Sequence, residues 1–266
     1  MRLAITTPAS PSPATVAAAR RAAARHGVAF LPRHGHELAE LAAGAGVDVL
    51  VVLGGQASLW LPGAPGAGSS RAGPGHRWNP GMGALRARRL ALGERATPDP
   101  FLAAADLHVG DAVLDCTLGL GADALVAAQA VGEGGRVVGL ESSPALAAWV
   151  DEGLRRLDAP AARRVEVRCA DHAAFLDASP ERSFDVVVFD PMFRHARAQE
   201  ATFDVVRRLA DARPLGEAAL ARARRVARRW VVVKDGAPGW DLARLGLDPL
   251  PSARGARRYF ARLAAA

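Results

Sequence analysis

"VVVFDPMF", residues 186–193, begins as a buried strand and ends in a way that a strand does not require. The apolar run from Val186 to Phe189 is followed by an acid, a proline, a methionine and a phenylalanine. Proline has no amide N–H and cannot continue a ladder, so the strand stops at Asp190 and Pro191 presents a carbonyl instead of a backbone amide. A carboxylate beside a free carbonyl can accept both hydrogens of an exocyclic amino group, and Phe193 can stack on the flat ring that carries it. The same residues also suit a plain strand-terminating turn with Phe193 in the core. The neighbouring segments have to decide between the two.

Those neighbours alternate. Strand "AVLDC" (112–116) leads to a helix over 122–130, and strand "RVVGLE" (136–141) to a helix over 144–157. Strand "VEVRC" (165–169) and a helical turn from Asp171 precede "FDVVVF". Helices are expected over 199–209 and 217–229, then strand "WVVVK" (230–234), a short helix at "WDLARL" and a final strand pair at "LDPLP" and "RRYFARL". Continuous apolar strands separated by helices predict an α/β fold with a doubly wound, mostly parallel sheet. Residues 1–61 predict a separate small α/β domain: strand "RLAIT", a helix over 13–26, "VAFLP", a helix over 36–45, "VDVLVVLG" and "SLWLP". Residues 62–83 are rich in glycine and proline and read as a linker, which leaves 84–266 as the larger domain.

The 266 residues are half hydrophobic, enough to bury a full core. No apolar run reaches the roughly 18 residues of a membrane helix. The alanine- and arginine-rich start could pass for a transit peptide, but "RLAIT" followed by a helix and another strand reads better as a folded βαβ unit. Cys116 and Cys169 fall on different predicted strands with no CxxC pair, and no His, Cys or acid set has metal-ligand spacing. This fits a reducing, cytoplasmic setting and no metal. The net charge is +7, which favours an anionic partner. Yet all of the 34 basic residues except Lys234 are arginine, which looks like codon bias, so the placement of the charges says more than their number.

In an open α/β sheet, ligands bind at the carboxyl ends of the strands. The first such end is "LDCTLGLGADA", 114–124, where Gly119 and Gly121 allow a tight turn and close backbone approach. A glycine turn of this kind also serves packing alone, and the GxGxxA spacing would suit a nicotinamide or flavin dinucleotide. Asp115 argues against a dinucleotide, because an acid just before the first glycine repels a pyrophosphate and suits a cation. Glu141 ends the next strand, 20 residues after Gly121, where a carboxylate can take both hydroxyls of a ribose. Asp171 and His172 follow the third strand, placed to read an adenine edge. One acid near a cationic ligand, another on its ribose and a third by its base describe S-adenosylmethionine. Asp190 and Pro191 would then hold an amino nitrogen in line with the methyl group, with rate gained from positioning.

"DCTLGLGADA", "GLESSP", "DVVVFDPMF" and "VVVK" together resemble the class I methyltransferases, and within them the ribosomal RNA small subunit methyltransferase J family, over roughly residues 76–247. The resemblance implies a seven-stranded, Rossmann-like sheet and methylation of the N2 amino group of a guanine in small-subunit ribosomal RNA. It implies cofactor contacts at Ala122 and Asp123, at Glu141 and Ser142, at Asp171 and His172, and at Asp190. The loop from Asp115 through Thr117, Gly119 and Gly121 completes that set, Thr117 standing where the broader class has a third glycine. Met192 and Arg194 stand where relatives carry prolines, and Arg194 and His195 could instead touch RNA phosphate.

Arg86, Arg88, Arg89 and Arg95 border the linker, with His76 and Trp78 close in sequence, a combination suited to single-stranded RNA. Lys234, at a strand end, could face RNA phosphate. The arginines among residues 222–229 are a solvated helix face or a phosphate track. A methyltransferase for a small molecule or protein shares every cofactor residue. A nicotinamide oxidoreductase and a non-catalytic RNA-binding module remain as alternatives, and oligomeric state stays open.

Overall fold

The computed structural model describes residues 1–62, 75–94, 99–191, 201–252 and 255–266. In chain order the elements are β1 (Leu3–Thr6), α1 (Pro13–His26), β2 (Ala29–Phe30), α2 (Leu38–Ala45), β3 (Val49–Leu53), β4 (Ala57–Trp60) and β5 (His76–Arg77). Next come α3 (Met82–Ala91), α4 (Pro100–Ala105), β6 (Ala112–Asp115), α5 (Ala122–Val131), β7 (Arg136–Glu141) and α6 (Pro144–Arg156). After a 3-10 turn at Pro160–Arg164 follow β8 (Val165–Cys169), α7 (His172–Ala178), β9 (Phe184–Phe189), α8 (Ala201–Leu209), α9 (Glu217–Val226), β10 (Ala227–Gly236), α10 (Trp240–Arg244) and β11 (Arg258–Ala264). The chain divides into two compact units.

The first unit gathers Met1–Asn79 with the segments that carry α6 and α8. Its sheet runs β2-β1-β3-β4-β5, with β1 parallel to β2 and β3, and β4 antiparallel to both of its neighbours. Ser12 caps α1 by accepting from the Thr15 N–H, and Gly27 closes the helix in the left-handed region at φ 63°. Helix α6 follows β7 in the chain, yet it packs on β3 and β4. It is buried from Ala145 to Leu154, and the Trp149 indole N–H donates to Ala57 O at 3.2 Å. Its buried stretch includes Asp151 and Glu152, which are paired with Arg155 and Arg156.

Two expectations for residues 62–83 change. His76 and Arg77 add a strand to this sheet, so the unit extends to Asn79 and not to 61. Trp78 is buried against Gly153, where any side chain would collide with the indole, and His76 is buried too. Neither ring is presented for stacking on RNA.

The second unit is built on a six-stranded sheet in the order β11-β10-β9-β6-β7-β8, all parallel except β11. Strand order reverses between β6 and β9, the position where such sheets open a crevice. The fold is the expected doubly wound one, with six strands among the described residues where the resemblance implied seven. At the remaining edge position Leu250 makes one ladder bond, its N–H to Phe260 O at 2.7 Å. Pro249 and Pro251 flank it and can donate nothing, so no strand propagates. Helix α9 ends at Val226 and not at Arg229, because β10 already begins at Ala227, paired with Phe184.

Candidate active site

Four strand ends converge on the crevice side of the second sheet. Asp115 closes β6, opposite Val188 of β9, so Asp190 lies just beyond the same level. The Asp115 carboxylate is 4% exposed and accepts the Thr117 N–H at 3.0 Å. Burial, with Asp123 and Asp190 nearby, pushes its carboxyl up to about 7, against the Thr117 hydrogen bond and the Lys234 charge. The loop then turns through Gly119 at φ 51° and Gly121 at φ 78°, both left-handed. A β-carbon on Gly119 would meet only the Thr117 carbonyl, at 3.8 Å, so the backbone there is open to close approach.

Thr117 joins two of the strand ends. Its Oγ1 accepts the Asp190 N–H at 2.6 Å and so fixes the main chain where β9 stops. The Asp190 side chain then accepts from Lys234 Nζ at 2.5 Å, and the same ammonium donates to Asp123 Oδ2 at 2.6 Å. Asp123 also accepts from Arg86 Nη1 at 2.5 Å, and Arg86 makes a two-point contact with Asp99 at 2.6 and 2.9 Å. The result is an ion chain Asp99–Arg86–Asp123–Lys234–Asp190. Burial opposes charge on Asp123, but Lys234 and Arg86 together hold its carboxyl below the usual range. Burial raises the Asp190 carboxyl, with Asp123 adding to the rise and Lys234 resisting it.

This chain depends on a close helix crossing. A β-carbon on Gly83 of α3 would stand 2.6 Å from the Ala122 Cα, so glycine lets α3 lie directly on the start of α5. One turn further along α3, Arg86 reaches Asp123. Asp99, which the sequence reading passed over, caps α4 by accepting from the Phe101 and Leu102 N–H groups while it holds Arg86. Its signal was legible in "TPDPF", an acid before a proline-started helix.

Several expected roles change accordingly. Lys234, expected to face RNA phosphate, is 8% exposed and committed to two carboxylates. Arg86, also expected to contact RNA, is bound to Asp99 and Asp123, and burial is outweighed by those acids in raising its pKa. Asp123, expected on the cofactor, is held by two cations, and Ala122 lies against Gly83. Arg88 and Arg89 are exposed on α3, with Arg89 loosely paired to Glu94 at 3.8 Å. Phe193, Arg194, His195 and Arg95 lie outside the described residues.

Of the remaining candidates, Glu141 is buried at the end of β7 and Ser142 is exposed beside it. Asp171 caps α7, its Oδ1 accepting from the Ala173 and Ala174 N–H groups and its Oδ2 from Arg213 at 2.5 Å. His172 sets its ring edge-on to Phe189, centroids 5.6 Å apart, and burial lowers its pKa. The arginines at 222–229 each have partners within the chain, several of them at the surface. Arg222 pairs with Asp177, Arg228 with Asp185 and Arg229 with Asp111, while Arg224 and Arg225 donate to the carbonyls of Ala264, Ser179 and Leu176.

The sequence model of the SAM-dependent methyltransferase family matches residues 83–244, the span that carries every one of these strand ends. The chain belongs to that family. Its cofactor is S-adenosylmethionine, which sets aside the nicotinamide alternative. The methyltransferase is 34% identical over 237 residues to the uncharacterized protein YpiP of Bacillus subtilis, covering 87% of this chain and 88% of that one. It is 41% identical over 134 residues to ribosomal RNA small subunit methyltransferase J of Laribacter hongkongensis, covering 46% of this chain and 45% of that protein. With the Halorhodospira halophila methyltransferase J the identity is 38% over 159 residues, 55% and 58% of the two chains. The chain therefore spans about half the length of those two relatives. A SAM-dependent methyltransferase from Neisseria gonorrhoeae shares the fold, with a TM-score of 0.60 at 22% identity over 98% of this chain and 96% of that one.

The residues present fit this cofactor. Asp115 and Glu141 are buried carboxylates at adjacent strand ends, and a cation beside Asp115 would restore its ionised form near neutral pH. The bare backbone at Gly119 leaves room between them. Among the described residues, no helix is long and apolar enough to cross a membrane.

Proposed function

We propose that this methyltransferase modifies the exocyclic N2 of a guanine in small-subunit ribosomal RNA. The observation that carries this reading is the end of β9. There Asp190 is followed directly by Pro191, a carboxylate and then a residue without an amide N–H, at the switch point and on a main chain pinned by Thr117. Two acceptors side by side match the two hydrogens of an amino group, and neither is a strong base. Partial matches to two enzymes named as ribosomal RNA small subunit methyltransferase J support the substrate class.

In this reading Asp115 faces the cationic part of S-adenosylmethionine, Glu141 accepts from its ribose hydroxyls, and Asp171 and His172 border its base, with Thr117, Gly119, Gly121 and Ser142 lining the path. When bound, the cofactor supplies a methyl group on a sulfonium. Asp190 and Pro191 orient the amino nitrogen so that its lone pair points at that group, and Asp190 Oδ takes the proton the nitrogen sheds. Phe193 stacks on a guanine turned out of its helix, and Arg88, Arg89, Arg194 and His195 meet phosphates.

The test is transfer of labelled methyl from S-adenosylmethionine to unmodified small-subunit ribosomal RNA, followed by nucleoside mass analysis. The expected product is N2-methylguanosine, absent with Asp190→Ala. Cofactor binding with no label in RNA would remove the ribosomal substrate.

A further inference from the structure

Lys234 is the single lysine of a chain that otherwise uses arginine for its permanent positive charges. Whatever bias replaced lysine elsewhere did not replace it here. The local geometry gives a reason. Lys234 Nζ stands between Asp123 Oδ2 at 2.6 Å and Asp190 Oδ2 at 2.5 Å, buried in the last part of β10. A compact ammonium with three tetrahedral donors fits between two carboxylates, whereas the broad, planar arginine fork would push them apart. Asp123 is in turn fixed by Arg86, so the ammonium is anchored on one side and presented to Asp190 on the other.

From this juxtaposition we propose that Lys234 is a positioning residue for methyl transfer, aiming the Asp190 carboxylate at the substrate amino group while Asp123 and Arg86 hold the ammonium in place. The proposal rests on the reading that Asp190 binds that amino group. Its consequence is electrostatic as well as geometric. Among the described residues, the charged and titratable groups facing Asp190 are Lys234 on β10, Asp123 on α5, Asp115 on β6 and Arg258 on β11. Without the ammonium, burial and two neighbouring acids would raise the Asp190 carboxyl further, and a protonated carboxyl is a poorer acceptor.

Two measurements on the full chain test this. In the first, carboxyl-13C NMR follows aspartate titration in the protein without cofactor, the Asp190 signal being identified by its loss in Asp190→Asn. Lys234→Met should move the Asp190 midpoint up by at least ~1 pH unit. Asp123→Asn should move it down, since it removes a like charge and leaves the ammonium to Asp190 alone. Opposite signs from two substitutions in one network are not produced by general loosening, and Asp123→Asn remains informative if Lys234→Met folds poorly. A midpoint unmoved by either substitution overturns the proposal.

In the second, the pH profile of methyl transfer to unmodified small-subunit ribosomal RNA is compared across variants. Lys234→Met should lower kcat roughly 100-fold and shift the acid limb upward while the cofactor KM holds. Lys234→Arg should return the acid limb, which needs only charge, without returning kcat, which needs geometry. If Asp190→Ala is inactive and Lys234→Met keeps the wild-type rate and profile, the role of Lys234 falls and that of Asp190 stands. If Asp190→Ala is itself active, the reading of the amino-group site falls, and the titration still reports whether Lys234 controls Asp190.

Discussion

Each unit of this chain sets buried parallel strands beside one another, yet what stands at the strand ends differs. In the first unit β1 ends at Thr6, whose hydroxyl donates to Leu31 O at 2.6 Å, and β3 ends at Leu53 before two glycines. In the second unit β6, β7 and β9 run out into Asp115, Glu141 and Asp190, and β10 carries Lys234. The apolar pattern that builds a strand is the same in both, and it says nothing about chemistry. The difference lies in the last residue or two of each strand, where the side chain leaves the core but not yet the protein. A neutral hydroxyl there is satisfied by one carbonyl. A carboxylate there draws charged or N–H donors toward it, as Lys234 to Asp190 and the Thr117 N–H to Asp115.

Substitutions at matched strand ends can break or sharpen this contrast. Asp190→Ala has the largest expected effect, a loss of at least ~1,000-fold in kcat, measured by label transfer. Thr6→Val, the corresponding change in the first unit, should cost only about 1 kcal/mol of stability by denaturant unfolding and leave kcat alone. A comparable loss of activity from Thr6→Val would end the distinction between the two sheets. Glu141→Ala should weaken S-adenosylmethionine binding by roughly 10- to 100-fold in calorimetry, the value of one or two hydrogen bonds to a charged acceptor.

Asp115→Asn separates ligand binding from stability. The folded carboxyl titrates near 7 while the unfolded one titrates near 4, so the native state binds the extra proton between those values. The contribution of Asp115 is therefore most favourable below pH 4 and is lost as pH rises to 7. Asp115→Asn should raise the melting temperature at pH 8, with a gain on the order of 2–4 kcal/mol. That gain should shrink toward zero by pH 4, and cofactor affinity should fall. A gain that does not vary with pH would show that the buried charge is not its cause.

Thr117→Val leaves the Asp190 N–H without its acceptor and should cost about 1–3 kcal/mol, whereas Thr117→Ser retains the bond. At the small end, Arg222→Ala breaks only an exposed pair with Asp177. It should change stability by less than about 1 kcal/mol and leave RNA affinity unchanged in a binding titration.

Much of this was written locally. Period and length of the apolar runs predicted the doubly wound sheet and put the acids at 115, 141 and 190 at strand ends, because those signals depend only on residues close in sequence. Tertiary structure alone decided the partners of the charges. Nothing near Lys234 in sequence announces that Asp123 and Asp190 will flank it, 111 and 44 residues away. Arg86 looked like a phosphate contact until Gly83 allowed α3 onto α5. The arginines at 222–229 read as a solvated helix face or a phosphate track, and only the fold shows each meeting an acid or a carbonyl from another element. Likewise α6 reads as an ordinary crossover helix, and only its packing on β3 and β4 assigns it to the first unit. The physical reason is common to all of these. Hydrophobic periodicity is a property of a segment, whereas a buried charge is compensated by whichever group the folded chain brings within hydrogen-bonding distance.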